Sequence, residues 1–90
     1  MTEEVLWEKI CSLEGTPLKT YSGLDFTFKV RGREIFVSRK DKSITQSSVM
    51  KAMEEVEKLQ GNVGGPKKLG VFGASYLYPI FIEIGVIREN

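Results

Sequence analysis

The sequence predicts an α+β fold: one small domain spanning residues 1–90, in the order α–β–β–α–α, with an antiparallel β-hairpin packed against helices. Three observations predict it. Apolar residues recur at helical spacing over 2–14 and again over 43–60, they alternate with polar ones over 26–38, and a glycine-rich break over 61–73 sets off a final apolar segment. Ninety residues suffice for one hydrophobic core without disulfides or metals.

The first helix covers residues 2–14. Thr2 is its N-cap, Glu3 and Glu4 suit the positive end of the helix dipole, and Leu6, Ile10 and Leu13 form its apolar stripe beside Trp7 and Cys11. Gly15 and Pro17 end it. Residues 18–23 form a short extended piece or loop. In the hairpin, Phe26, Phe28 and Val30 share a face with Ile35 and Val37. A turn centred on Arg31-Gly32 pairs Phe28 with Ile35, Phe26 with Val37 and Lys29 with Glu34, and leaves Phe36 on the opposite face beside Thr27 and Lys29.

The second helix opens at Ser43, with Gln46 completing a capping box and Thr45 as a competing cap. Val49, Ala52, Met53, Val56 and Leu59 form its buried stripe. Lys51 with Glu55, and Glu54 with Lys58, are pairs for its solvent side. Five glycines (61, 64, 65, 70 and 73) then mark a loop of unusual backbone angles. A third helix is expected from Ala74 to Ile84, with Ser75 as its cap and Pro79 tolerated in or near the first turn. The alternation of Ile80, Ile82 and Ile84 leaves a strand open as the alternative there. A short third strand is expected at 18–21 or 86–88.

Composition narrows the function. The chain is 41% hydrophobic and 28% charged with a net charge of +1, ordinary for a globular protein. The distribution says more: residues 16–42 carry seven Lys/Arg against three Asp/Glu, whereas residues 1–15 carry one against four. The longest apolar run, 76–87, is interrupted by Pro79, Glu83 and Gly85 and is too short to span a bilayer, so no membrane partner is expected. The single cysteine, Cys11, permits no internal disulfide and reads as a small buried hydrophobe. The N-terminal segment does not resemble an export signal, and a cytoplasmic protein of bacterial or phage origin is expected.

An enzyme is not expected. The chain has no histidine, which removes the commonest general base and metal ligand, and its one cysteine has no histidine to activate it. No carboxylate cluster has metal-ligand spacing, so neither a metal nor a cofactor is expected, and no small-molecule substrate is inferred. The glycine loop lacks the Gly-Lys-Ser/Thr of a phosphate-binding loop. Gly70-Val71-Phe72-Gly73 has the GxxG spacing with which some nucleic-acid-binding loops grip a backbone, but its middle positions are apolar.

One constellation carries chemistry. Lys29, Arg31, Arg33, Arg39, Lys40 and Lys42 gather at the hairpin tip and the junction, immediately before a helix start rich in hydroxyls (Ser43, Thr45, Ser47). Free N–H groups and the helix dipole favour anions there, and Lys67-Lys68 of the glycine loop would extend the patch. Phe36 is the candidate for base stacking or partner contact, and Trp7, Tyr76 and Tyr78 are aromatics expected to be buried. The expected function is a non-enzymatic nucleic-acid-binding module, with DNA as the partner, contacting phosphates from the hairpin and the helix N-terminus. The alternative is a protein-interaction or inhibitor module that acts on a protein partner or self-associates as a homodimer.

Overall fold

The computed structural model describes residues 1–88. The chain runs through α1 (Glu3–Cys11), β1 (Leu18–Lys19), β2 (Asp25–Phe26), β3 (Phe28–Arg31), β4 (Glu34–Val37), α2 (Gln46–Lys58), a 3-10 helix (Pro66–Leu69) and α3 (Ala74–Glu83). The α+β mixture and its element order are those the sequence predicts.

Two antiparallel ladders, β1 with β2 and β3 with β4, form the β structure. Only Thr27 separates β2 from β3, and side bonds join the ladders. The Gly15 N–H donates to the Phe28 carbonyl (3.1 Å), and the Glu14 carboxylate accepts from the Val30 N–H (3.0 Å). Residues 14–19 thus follow one edge of 25–31 while β4 follows the other. Beyond β4, Ile44 exchanges two backbone bonds with Ile35 (2.8 and 2.9 Å). The expected third strand is present as Leu18–Lys19. Residues 86–88 form none, and Arg88 instead donates its N–H to the Gly61 carbonyl (2.8 Å).

Strand alternation then sorts the residues. Leu18, Phe26, Phe28, Ile35, Val37 and Ile44 point inward and are buried, while Lys19, Asp25, Lys29, Arg31 and Phe36 are exposed. The register differs from the expected one by two residues. Phe28 faces Val37, Lys29 faces Phe36, Val30 faces Ile35 and Arg31 faces Glu34. The turn is therefore Gly32-Arg33, and both residues have positive φ (56° and 58°), the requirement of a type I′ turn. A two-residue shift leaves every side chain on the same face, so alternation cannot distinguish the two registers.

Thr2 caps α1, its hydroxyl accepting from the Val5 N–H (3.2 Å). Leu6, Trp7 and Ile10 are the buried face of α1. Cys11 is exposed, contrary to its expected burial, because α1 ends there and the residue lies off the buried Leu6–Ile10 stripe. Thr45 is the N-cap of α2, accepting from the Ser48 N–H (3.2 Å), so Ser43 is not. Val49, Ala52, Met53 and Val56 are buried as predicted, whereas Leu59, expected in the same stripe, is exposed because it is the C-cap, past the last turn of α2. The ion pair on α2 is Lys58 with Glu55 (3.4 Å), in place of the two pairs expected from spacing.

Residues 80–83 are helical. With Tyr76, Leu77, Tyr78, Ile80 and Phe81 all buried, α3 presents apolar surface round most of its circumference, the mark of a core helix. It packs against α2, β1 and the 3-10 helix. Pro79 lies inside α3, well past the first turn where it was expected. The bond it forgoes is to the carbonyl of Ser75, an exposed residue. The glycine loop is not a floppy connection: it buries Val63 and Leu69, and α2, α3, the sheet's inner face and this loop share one hydrophobic cluster.

Candidate nucleic-acid interface

The outer face of the sheet is uncovered. At its centre Phe36, 41% exposed, lies directly opposite Lys29, and the next pair toward the tip is Arg31 with Glu34. Among the described residues no helix covers Phe36, although covering is the commoner fate of such an aromatic. Among the described residues Lys29 and Arg31 make no ion pair; the Glu34 carboxylate opposite Arg31 accepts instead from the Ser43 hydroxyl (2.6 Å). The type I′ turn and the alternation of β3 thus aim two free cations and one ring at solvent from a rigid ribbon.

The remaining predicted cations divide by what they touch. Arg33 turns away to α1, where its guanidinium pairs with Glu3 (3.0 Å). Arg39 donates to the Asp25 backbone carbonyl (3.2 Å), tying the junction to β2. Lys40 is exposed and has no ion pair among the described residues. The Lys42 ammonium sits 4.8 Å from the centre of the Phe72 ring, a cation–π contact that brings the glycine loop to the junction. Lys67 and Lys68 project from the 3-10 helix, also without ion pairs among the described residues. They line a cavity of about 310 Å³ with Tyr21, Gly64, Gly65 and Pro66, a wall that contains no cation of the hairpin or junction.

The N-terminus of α2 differs from the open anion site read from the sequence. The Gln46 side-chain amide donates to Glu3, the same carboxylate that holds Arg33, and Ser43 is committed to Glu34. Thr45 is engaged as the cap, and Ser47 is exposed. Two carboxylates contributed by distant segments therefore stand at this helix start and oppose a phosphate there by like-charge repulsion. At the other end of the sheet, Lys19 pairs with Asp25 (2.9 Å). The bond to Lys19 and its charge, with a further contribution from Arg39, hold the Asp25 carboxyl below its usual range. At Cys11 desolvation, with the charge of Glu14 added, pushes the thiol up, away from nucleophilic use.

The aromatics singled out in sequence, Trp7, Tyr76 and Tyr78, are buried; Tyr78 donates its hydroxyl to the Val63 carbonyl (3.0 Å), and the Trp7 indole N–H has no partner. Sequence reasoning missed Tyr21 and Phe72, exposed at 66% and 43%. Their signal was an aromatic residue set among turn formers, Ser22-Gly23 in one case and flanking glycines in the other. Glu83 is exposed. Among the described residues no group of three or more His, Cys, Asp or Glu side chains is placed to hold a metal ion, and no helix is long and apolar enough to cross a membrane. No family model, curated protein or solved structure matches the chain.

Proposed function

We propose that this protein binds nucleic acid, DNA in the first instance, through the outer face of its sheet, and that it acts by binding rather than by chemistry on the ligand. The observation that supports this reading is the exposed Phe36 with Lys29 opposite it and Arg31 one pair away, both without an ion pair among the described residues. A ring flanked by cations matches a polyanion whose bases also have flat apolar faces. Lys40 and Lys42 extend the positive rim at the junction. The helix N-terminus contributes less than its hydroxyls suggest, because Glu3 and Glu34 stand there.

The test is fluorescence anisotropy with labelled DNA at low salt, comparing the natural chain with a Lys29→Glu/Arg31→Glu variant. Both side chains are exposed, so far-UV circular dichroism should be unchanged while affinity falls at least about tenfold. Absence of DNA binding by the natural chain, or a charge-reversed variant that binds as well, sinks the reading. In the second case an apolar protein-interaction surface explains the exposed Phe36 better.

A further inference from the structure

The two outer edges of the β structure are treated differently. Beyond β4, Ile44 occupies both backbone groups of Ile35. Beyond β1, no strand pairs among the described residues. Hydrogen-bonded and non-hydrogen-bonded pairs alternate along an antiparallel ladder. Thr20 donates its N–H to the Leu24 carbonyl (2.9 Å), so the next pair, Lys19 with Asp25, is a non-bonded one. The Lys19 N–H and C=O therefore point away from β2. The Pro17 carbonyl and the Tyr21 N–H, two residues to either side, also enter no backbone hydrogen bond among the described residues. Four unpaired backbone groups thus follow one another along this edge, the pattern an added strand would use.

The same three residues line a cavity of about 500 Å³ together with Pro79, Ile82 and Glu83 of α3, a size within the range of ligand sites. Pro79 and Ile82 are half-buried and supply apolar surface beside the edge. A lysine commonly guards such an edge with its charge. Here the Lys19 ammonium is held by Asp25 (2.9 Å), so that charge is matched within the fold. Glu83 is exposed and has no ion pair among the described residues, which leaves the unmatched charge of the lining negative.

We infer that the edge of β1 is a docking site for an extended segment of a partner protein, which adds as a further strand beside Lys19. Apolar side chains of that segment meet Pro79 and Ile82, and a lysine or arginine meets Glu83. Main-chain bonds to Lys19 supply affinity, and the α3 side chains supply selectivity. A second copy of the chain fits the edge poorly. Two β1 strands paired about Lys19 would set one lysine opposite the other, and neither would bring an unmatched cation to Glu83. The site shares no residue with the proposed nucleic-acid face and does not rest on that reading.

The experiment selects binders of the whole chain from a displayed library of random linear peptides about 10 residues long. Enriched peptides should alternate apolar residues and carry a lysine or arginine. At saturation they should slow amide exchange at Lys19 and Tyr21 at least about tenfold. N-methylation of one alternate set of peptide amides should abolish binding, and methylation of the other set should leave it, because only one set faces β1. Glu83→Gln should weaken the basic peptides about threefold and leave unchanged a peptide whose cation is replaced by glutamine. Glu83 is exposed, so this variant keeps the core intact. Enrichment of no peptide overturns the site, as do peptides that tolerate both methylation patterns or leave the Lys19 and Tyr21 amides unprotected. Equal affinity of the basic peptides for the Glu83→Gln variant overturns the choice of a basic partner. A concentration-dependent dimer that protects the Lys19 amide without peptide puts a second copy on the edge and overturns the partner.

Discussion

Gly73 is the residue at which the smallest change has the largest structural consequence. Its φ of +80° is strained for any residue with a Cβ, and an added Cβ would stand 2.5 Å from Cδ1 and Cγ1 of Ile44. Ile44 is fully buried and is pinned by its two backbone bonds to Ile35, so it cannot step aside. Gly73→Ala should therefore cost about 2–4 kcal/mol, backbone strain and overpacking together. Gly70, with φ of +63° and nothing near its absent side chain, is the control: Gly70→Ala should cost only the strain, about 1 kcal/mol. Urea midpoints measure both, and equal losses would show that Ile44 yields. Five glycines within thirteen residues announced unusual backbone angles. That one of them faces Ile44, far away in sequence, was not legible, because close approach is a property of the folded pair.

At the scale of elements, the start of α2 shows how a local pattern can be right in kind and wrong in residue. Ser43 and Thr45 both precede a helical run, and Ser43 with Gln46 has the spacing of a capping box. The backbone pairing of Ile44 with Ile35 keeps the chain extended through this stretch, so the helix cannot begin at Ser43 and Thr45 takes the cap. Thr45→Ala should destabilise the protein by about 1 kcal/mol and speed amide exchange at Ser48, whose N–H the hydroxyl accepts. Ser43→Ala should leave that exchange rate unchanged, since its hydroxyl serves Glu34. Faster Ser48 exchange in Ser43→Ala would return the cap to Ser43. The hairpin teaches a related point. Alternation determines which face a side chain takes but determines register only to within two residues, and the turn Gly32-Arg33 decides between the permitted registers.

Across the whole molecule, the sheet has one buried face and one bare face; Lys29 and Arg31 lie on the bare face and Lys40 and Lys42 at the junction, while Lys67 and Lys68 stand apart on the 3-10 helix. Among the described residues Lys29, Arg31, Lys40, Lys67 and Lys68 have no ion pair, whereas Arg33 is neutralised by Glu3. If about four of the free cations meet phosphates, the logarithm of the binding constant should fall with the logarithm of salt concentration at a slope of about −3 for a single strand. Arg33→Gln should barely change that slope, because its charge is already matched within the fold. A slope near zero would mean that the bare face recognises an apolar surface instead of a polyanion. Roughly half of the predicted basic cluster was legible as a cluster: hairpin cations adjacent in alternation must share a face. The separation of Arg33 and of Lys67-Lys68 from it was not, because each is set by a partner brought from elsewhere in the chain.

The sequence by itself determined the α+β class, the order of its elements, the inward set of the hairpin, most of the buried stripe of α1 and α2 (Cys11 and Leu59 excepted), and the outward direction of Phe36, Lys29 and Arg31. All of these follow from periodicity and local stop signals, which act between neighbours along the chain. Only the tertiary structure decided that the outer face stays uncovered, that Glu3 and Glu34 stand at the start of α2, and that Tyr21 meets the glycine loop across Tyr78. Those outcomes depend on which distant segments pack together in the folded chain, and no residue's immediate neighbours specify that.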